Sequence, residues 1–242
     1  MGHGTPDWWG SEPSETIFQT QDAGELAVRL GSIDVFDRRG NVIWLTNFGD
    51  GLQGCTPTVD HTDSKWALTA NRAFSGAYSL KLDPRGAADA YAEWGRVLHF
   101  LNPTRLGFET VISLDTDPAS VRWSMWYFDG TNRVYSAVWY YPATGDWKIL
   151  KADGNVVTVL AGAKLQQGPA AWHHVKMVID VETEKYAFLL IDKNEVNLSA
   201  YALKKDASAD LGQLLVTVTC AGSVDASEAI FVGGVIITQN EP

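Results

Sequence analysis

The sequence predicts an all-β protein, built as a two-sheet antiparallel β-sandwich with an irregular N-terminal arm. Three observations support this fold class. More than ten short segments alternate apolar and polar residues or have a continuous apolar centre, turn residues separate them, and no segment has a convincing amphipathic helical period. A length of 242 residues, 45% of them hydrophobic, suits one such domain over 25–242. Many short strands at this spacing are typical of a sandwich or barrel rather than an α/β fold.

The first 24 residues form the predicted arm. They are polar, rich in Gly, Pro, Ser and Thr, and have no period. Trp8 and Trp9 are the exceptions, and two exposed Trp side chains on a free tail would be costly. We therefore expect residues 1–24 to dock on their own domain or on a neighbouring chain. The segment lacks the basic and apolar regions of a signal peptide, and no apolar run is long enough to span a membrane.

The first half of the domain contains the less regular strand signals. Ile33–Phe36 and Val42–Leu45 flank a polar, Gly-containing loop and predict a hairpin. Residues 87–100 are ambiguous, because 87–93 favour a helix by propensity whereas Trp94–Phe100 and the surrounding β pattern favour a strand. We expect a strand there. Further strands are predicted at Leu26–Leu30, Phe74–Leu82 and Phe108–Leu114.

The middle of the chain has the clearest pattern. Val121–Phe128, Val134–Tyr141, Trp147–Leu150 and Val156–Leu160 are separated by short segments rich in Gly, Asp, Asn and Pro, which predicts a meander of hairpins. The remaining predicted strands are Trp172–Asp180, Tyr186–Ile191, Leu214–Thr219 and Ile230–Thr238.

The meander carries aromatic residues on both of its faces. Only one face of a sheet can face the core of a two-layer sandwich, so one aromatic set must face outward, be covered by the arm, or meet a partner. Sugar rings stack on exposed aromatic faces, and Trp offers the largest one. The candidate ligand-binding residues are therefore Trp126, Trp139 and Trp147, with Tyr135 and Tyr141. The alternative is that these side chains pack in the core or between subunits.

Several segments together resemble the concanavalin A-like superfamily, especially its laminin-G-like and carbohydrate-binding jelly rolls. They are Trp172–Asp180 with Lys185–Tyr186 and Leu190–Asp192, the strand Ala73–Leu82, the closing strand Ala229–Thr238, and Asn47–Gly51. The resemblance implies a jelly roll and covers about 200 residues. Lectins, hydrolases, adhesion modules and virion proteins all use such folds. The opening stretch Val28–Gly40 also resembles uncharacterised phage and prophage proteins.

No catalytic residue or cofactor is expected. Glycosidases on this fold use two neighbouring carboxylates, and no strand offers that pattern. Glu182 and Glu184 have the spacing but lie in a predicted turn, and His173 and His174 point to opposite faces of a strand. Sugar-binding jelly rolls often hold a structural Ca²⁺, with an Asp entering the closing strand. Here 231–235 contains no acid, which leaves only Asp50 and Asp83 as candidate ligands of such an ion.

Charge limits the partners. The net charge of −10 argues against binding nucleic acid or an anionic membrane surface. Cys55 and Cys220 could pair or stay free, and the sequence leaves both open.

The favoured function is non-catalytic carbohydrate recognition. The first alternative is an assembly protein, such as a virion or surface-particle component, that uses the arm and the aromatics for subunit contacts, as a homo-oligomer would. A glycan-cleaving enzyme with an unrecognised acid pair is third.

Overall fold

The computed structural model describes residue 37 and residues 39–55, 57–85, 88, 90–99, 104–222 and 228–242. Within these ranges the chain forms sixteen strands and no helix, so no described helix could cross a membrane. The arm, Leu26–Leu30 and Ile33–Phe36 lie outside the described residues. In chain order the strands are β1 (Asn41–Thr46), β2 (Thr58–Val59), β3 (Lys65–Thr69), β4 (Ser79–Asp83), β5 (Tyr91–His99), β6 (Arg105–Leu114), β7 (Ser120–Phe128), β8 (Asn132–Tyr141), β9 (Asp146–Leu150), β10 (Val156–Leu160), β11 (His173–Asp180), β12 (Lys185–Ile191), β13 (Asn194–Asn197), β14 (Lys204–Ala207), β15 (Gln213–Ala221) and β16 (Ile230–Gln239).

The strands form two antiparallel eight-stranded sheets, which confirms the predicted fold class. Sheet A has the order β13-β12-β11-β6-β16-β4-β3, and β1 also pairs with β16. Sheet B has the order β10-β9-β8-β7-β15-β5-β2, and β14 also pairs with β8. The predicted meander β7–β10 forms one continuous half of sheet B. The other half comes from strands that are distant in sequence, because β15 lies between β7 and β5.

The core lies between the inner faces of the two sheets. On β7 the inner residues are the apolar ones, including Trp123, which the structure buries almost completely. The Trp123 indole donates a hydrogen bond across the sandwich to the Thr110 hydroxyl on β6, with an N–O distance of 2.8 Å. Both cysteines are buried and free.

The outer face of sheet A is also buried along its central strands. Val111 on β6 and Ile236 on β16 form a second apolar cluster there, packed against Val42, Leu45, Phe74 and Trp172. Beside it lies a buried ionic cluster. The Lys176 ammonium, with no exposed surface, lies 3.0 Å from an Asp37 carboxylate oxygen, 2.8 Å from Glu241 and 3.6 Å from Glu109. Asp37 therefore packs on this face, and its amide donates to a Glu109 carboxylate oxygen at 3.1 Å.

Several strand boundaries differ from the prediction. The ambiguous segment is a strand over Tyr91–His99, as expected. The strand predicted at Phe74–Leu82 begins only at Ser79, because the residues before it form bends. The short strands β2, β3, β13 and β14 were not predicted, since their apolar residues are few and most of their side chains are solvent-exposed.

Candidate functional site

A depression of about 540 Å³ lies on the outer face of sheet B, across β5, β15, β7 and β8. Ligand sites of this size usually combine apolar or aromatic walls with a few polar groups, and this depression does so. Its lining residues are Tyr91, Glu93, Ser120, Arg122, Trp126, Trp139, Leu215, Thr217, Thr219 and Ala221. We call this depression the sheet B pocket.

The pairing of the four strands arranges the outward side chains in rows that run across the sheet. One row, which we call the polar row, consists of Glu93, Thr219, Arg122 and Trp139, each the cross-strand partner of the next. Two residues further along lies a row of small side chains, consisting of Gly95, Thr217, Ser124 and Ala137. Beyond it lies an apolar row, consisting of Val97, Leu215, Trp126 and Tyr135.

These rows give the pocket its shape. Because the middle row carries only small side chains, the polar and apolar rows stand above it as walls. Trp139 and Trp126 lie on opposite walls, and their positions are four residues apart along the strands, which is about 13 Å at ~3.3 Å per residue. The line that joins them runs mainly along the strands, so an extended ligand that lies along the strands, over the small row, could contact both indoles at once.

The apolar wall is held rigidly. The Trp126 ring packs edge-on against Tyr135, with ring centroids 4.7 Å apart, and the Arg133 guanidinium lies 4.9 Å from the Trp126 centroid. Arg133 is fixed in turn by Asp206 on β14, at 3.0 Å. This edge-on pair leaves Trp126 half-buried and still in contact with the pocket.

The polar wall contains the only two charged side chains among the described lining residues. Arg122 Nη2 donates to Glu93 Oε2 at 3.3 Å and to the Thr219 hydroxyl at 3.1 Å. The Thr219 hydroxyl donates to the same Glu93 oxygen at 2.6 Å. The network thus uses one oxygen of Glu93 and one terminal nitrogen of Arg122. Glu93 Oε1 accepts no hydrogen bond from the described residues, and Arg122 Nη1 donates none to them.

The structure separates the five sequence-predicted site residues. Trp126 and Trp139 line the pocket. Tyr135 lies on the same face and supports Trp126. Tyr141 also lies on this face, outside the lining; burial raises the pKa of its hydroxyl, and the Lys148 ammonium lies 4.5 Å from its ring centroid.

Trp147 does not belong to the site, and the expectation that it stacks on a ligand is wrong. It opposes the inward-pointing Tyr140, so it shares the inner face with Ile149 and is fully buried. Its indole stacks on Trp123 at 5.7 Å and donates to the Ala163 carbonyl at 3.1 Å. The alternation of Trp147 and Ile149 around Lys148 is the sequence signal that indicates this placement.

Sequence reasoning missed Glu93, Thr217 and Thr219, and it did not assign Arg122 to a site. Glu93 lies in the segment whose helix or strand character was ambiguous. The three strands that bring these side chains together are about 30 to 130 residues apart in the chain, and no local pattern indicates that β15 lies between β5 and β7. These side chains can be recognised as one row only when the order of the strands in sheet B is known.

The other candidate chemical groups lie elsewhere. His173 and His174 belong to sheet A, and each ring is hydrogen-bonded: His173 to Asp192 and the Gln166 carbonyl, both at 2.9 Å, and His174 to Glu109 at 2.5 Å. Glu184 lies in the turn between β11 and β12, where it binds Lys205.

A metal site is not evident in the described part of the chain, where no group of three or more His, Cys, Asp or Glu side chains could hold an ion. Of the two acids considered for Ca²⁺, Asp83 binds both Lys81 and Arg85, at 2.8 and 2.6 Å. Asp50 is exposed in a turn and accepts one long bond from Gln53. A carboxylate already neutralised by two cations is a poor calcium ligand.

Solved structures of similar shape place the chain among known folds. A carbohydrate esterase of the Shiga toxin-encoding bacteriophage phi24B aligns with a TM-score of 0.53 at 12% identity, covering 84% of this chain and 100% of its own. A Bacillus subtilis protein of unknown function with a galectin-like fold aligns with a TM-score of 0.53 at 9% identity, covering 83% of this chain and 97% of its own. The carbohydrate recognition domain of Emp46p aligns with a TM-score of 0.50 at 7% identity, covering 82% of this chain and 94% of its own. The chain has the concanavalin A-like jelly-roll fold.

This likeness concerns the fold alone, because identities near 10% carry no information about individual site residues. No protein-family model and no curated protein matches the sequence. Within the jelly roll, the candidate site is therefore defined by the geometry of the sheet B pocket.

Proposed function

We propose that this protein is a non-catalytic carbohydrate-recognition module that binds a glycan chain in the sheet B pocket. The observation that carries the proposal is the pair of half-buried indoles, Trp126 and Trp139, on opposite walls of one open depression. Aromatic faces bind the C–H faces of sugar rings, and the nearby polar row offers hydrogen bonds to hydroxyl groups. Two of the solved structures with the same fold carry carbohydrate esterase or carbohydrate recognition in their descriptions, which supports the same ligand class.

The spacing favours a chain over a single sugar. The two Trp positions are separated by more than the width of one pyranose ring, so a monosaccharide would contact one wall at a time. A chain that runs along the strands, over the small row, would contact both. Binding should therefore strengthen from monosaccharide to oligosaccharide.

The charged groups of the pocket favour binding over cleavage. Canonical glycoside hydrolysis needs two carboxyl groups, about 5–5.5 Å apart in retaining enzymes and about 6.5–9.5 Å apart in inverting ones. Among the described lining residues Glu93 is the one carboxylate, and Arg122 and Thr219 hold it. The second carboxyl group that both mechanisms require is therefore absent from the described lining residues.

The test compares Trp→Ala variants at three positions by glycan array and calorimetry. Trp126→Ala and Trp139→Ala should lose at least ten-fold in affinity while keeping their folded stability within about 1 kcal/mol, since half-buried side chains at a surface contribute little to the core. Trp66→Ala is the matched control, because Trp66 is 40% exposed and belongs to sheet A, outside the pocket lining. Normal binding by both pocket variants would contradict the proposal, and so would release of reducing ends from the bound glycan.

The alternative function is assembly, with the outer face of sheet B as a subunit contact. Tyr91 and Val97, which are 37% and 39% exposed on this face, favour it. Light scattering over a concentration series distinguishes the two. A stable oligomer that dissociates when Trp126 or Val97 is replaced by Asp, with no glycan bound by the intact protein, would favour assembly.

A further inference from the structure

We infer that the sheet B pocket selects neutral glycans and discriminates against uronic acid chains, through the ion pair between Glu93 and Arg122. This inference rests on the proposed glycan-binding function and adds the ligand class. Its basis is that the pocket contains one carboxylate and one guanidinium, and that the two already neutralise each other at 3.3 Å.

A uronic acid carboxylate would have to compete for a guanidinium that is already engaged. To reach Arg122 it must approach Glu93, and two carboxylates at such a distance repel each other strongly in a partly desolvated site. The other cations of this face do not replace Arg122. Arg133 and Lys204 both bind Asp206, at 3.0 and 3.4 Å, and Lys148 lies over the Tyr141 ring. All three cations lie outside the pocket lining.

A neutral sugar fits the same pair without this conflict. Glu93 Oε1 can accept a hydrogen bond from one sugar hydroxyl, while Arg122 Nη1 donates to a neighbouring one, and bonds to charged groups are the stronger kind. Arg122 is the cross-strand partner of Trp139, so the ring that stacks on this indole presents its hydroxyls to the ion pair. Thr219 holds Glu93 Oε2 and thereby keeps Oε1 directed away from the network.

The net charge of −10 acts in the same direction, but it acts at long range. Salt separates the two effects. Raising the ionic strength from about 0.15 to 0.5 M shortens the screening length to roughly 4 Å, which removes long-range repulsion and leaves contacts inside the pocket. Discrimination caused by the ion pair should therefore persist at 0.5 M salt.

The experiment uses matched polymers that differ only in the carboxyl group. Polygalacturonate and alginate oligosaccharides are compared with the same oligosaccharides after reduction of the carboxyl groups to hydroxymethyl groups, together with β-1,4-glucan, xylan and galactan oligomers. The intact protein should bind its preferred neutral chain at least ten-fold more tightly than any uronate, at both salt concentrations.

Two variants test the role of the ion pair. Glu93→Gln removes the repelling charge and frees Arg122. It should therefore lower the ratio of the affinity for neutral chains to the affinity for uronates by about ten-fold or more. Arg122→Gln should weaken neutral binding and leave uronate binding undetectable. Glu184→Gln and Arg105→Gln, which alter ion pairs outside the pocket, are matched controls that should change neither.

The outcomes separate the two claims. Uronate binding as tight as neutral binding, lost in Trp139→Ala, would overturn this inference and leave the proposed function standing. An unchanged ratio in Glu93→Gln would also overturn it. If none of these glycans binds, the proposed function fails and this inference fails with it. The comparison of neutral and uronate affinities in the intact protein uses no variant. It therefore tests the inference even if a variant fails to fold.

Discussion

Replacing Lys176 by Met should destabilise the protein by about 3–5 kcal/mol, because the change leaves three buried carboxylates without their common cation. Lys176 has no exposed surface and lies 2.8, 3.0 and 3.6 Å from Glu241, Asp37 and Glu109. At an effective dielectric constant of about 20, each contact attracts by roughly 5 kcal/mol, and the cost of burying four charges offsets most of this. Burial alone would lower the pKa of Lys176, yet the three acids outweigh it and raise that pKa.

Urea unfolding at pH 7 measures the effect. Lys193→Met, at an exposed turn, is the matched control and should stay within about 0.5 kcal/mol of the parent. Adding Glu241→Gln to Lys176→Met removes one unpaired charge and should recover part of the loss. Burial already raises the pKa of Glu241 more than Lys176 lowers it, which makes this acid the least costly to neutralise.

The pH dependence provides a second readout with a definite sign. In the parent, burial of Asp37 is outweighed by Lys176, so the pKa of Asp37 is lowered and the stability it contributes is lost as the pH falls through that value. Without the lysine, burial should raise the pKa values of Asp37 and Glu241, so the variant should gain stability relative to the parent as the pH falls from 7 to 4.5. A loss below 1 kcal/mol at pH 7, or a difference that does not shrink on acidification, would refute this account of the cluster.

Three other side chains have contacts that give definite expected outcomes on substitution. Trp147→Ala should cost about 3–5 kcal/mol in urea unfolding, as expected for a fully buried Trp, whereas the half-buried Trp139→Ala should cost under about 1 kcal/mol. His173 is desolvated, but Asp192 and a carbonyl raise its pKa above the usual 6.5, so stability should decline as the pH rises from 6.5 through that raised value; melting temperatures of His173→Gln should lack this decline. Tyr186→Phe should cost about 1–3 kcal/mol by calorimetry, because the buried hydroxyl bonds main-chain groups of both β8 and β9 at 2.8 to 3.3 Å.

Local patterns predicted the hairpin meander well, because each of its strands alternates clearly and each connection contains turn residues. The same alternation placed Trp123 and Trp126 on opposite faces of β7 but left open which face is exposed. The structure shows that Trp123 points inward and Trp126 outward. The prediction for Trp147 was wrong, because it rested on the size of the indole ring. The alternation with Lys148 places Trp147 on the same inner face as Ile149. The ends of strands with few apolar residues, such as β4, were also misplaced, since their extent depends on which neighbour they pair with.

The choice of the outward face as a site depends on an asymmetry that alternation cannot reveal. Both sheets have outward residues, and by sequence Glu109 and Lys176 on sheet A look as exposed as Glu93 and Arg122 on sheet B. In the structure the first pair is sealed together with Val111 and Ile236, whereas the second pair lines an open pocket. A buried ion pair can stabilise or specify a fold, but it cannot meet a ligand. Sheet A withdraws these charges from solvent, whereas the two Trp walls and the polar row of sheet B stay open to it, as the proposed recognition requires.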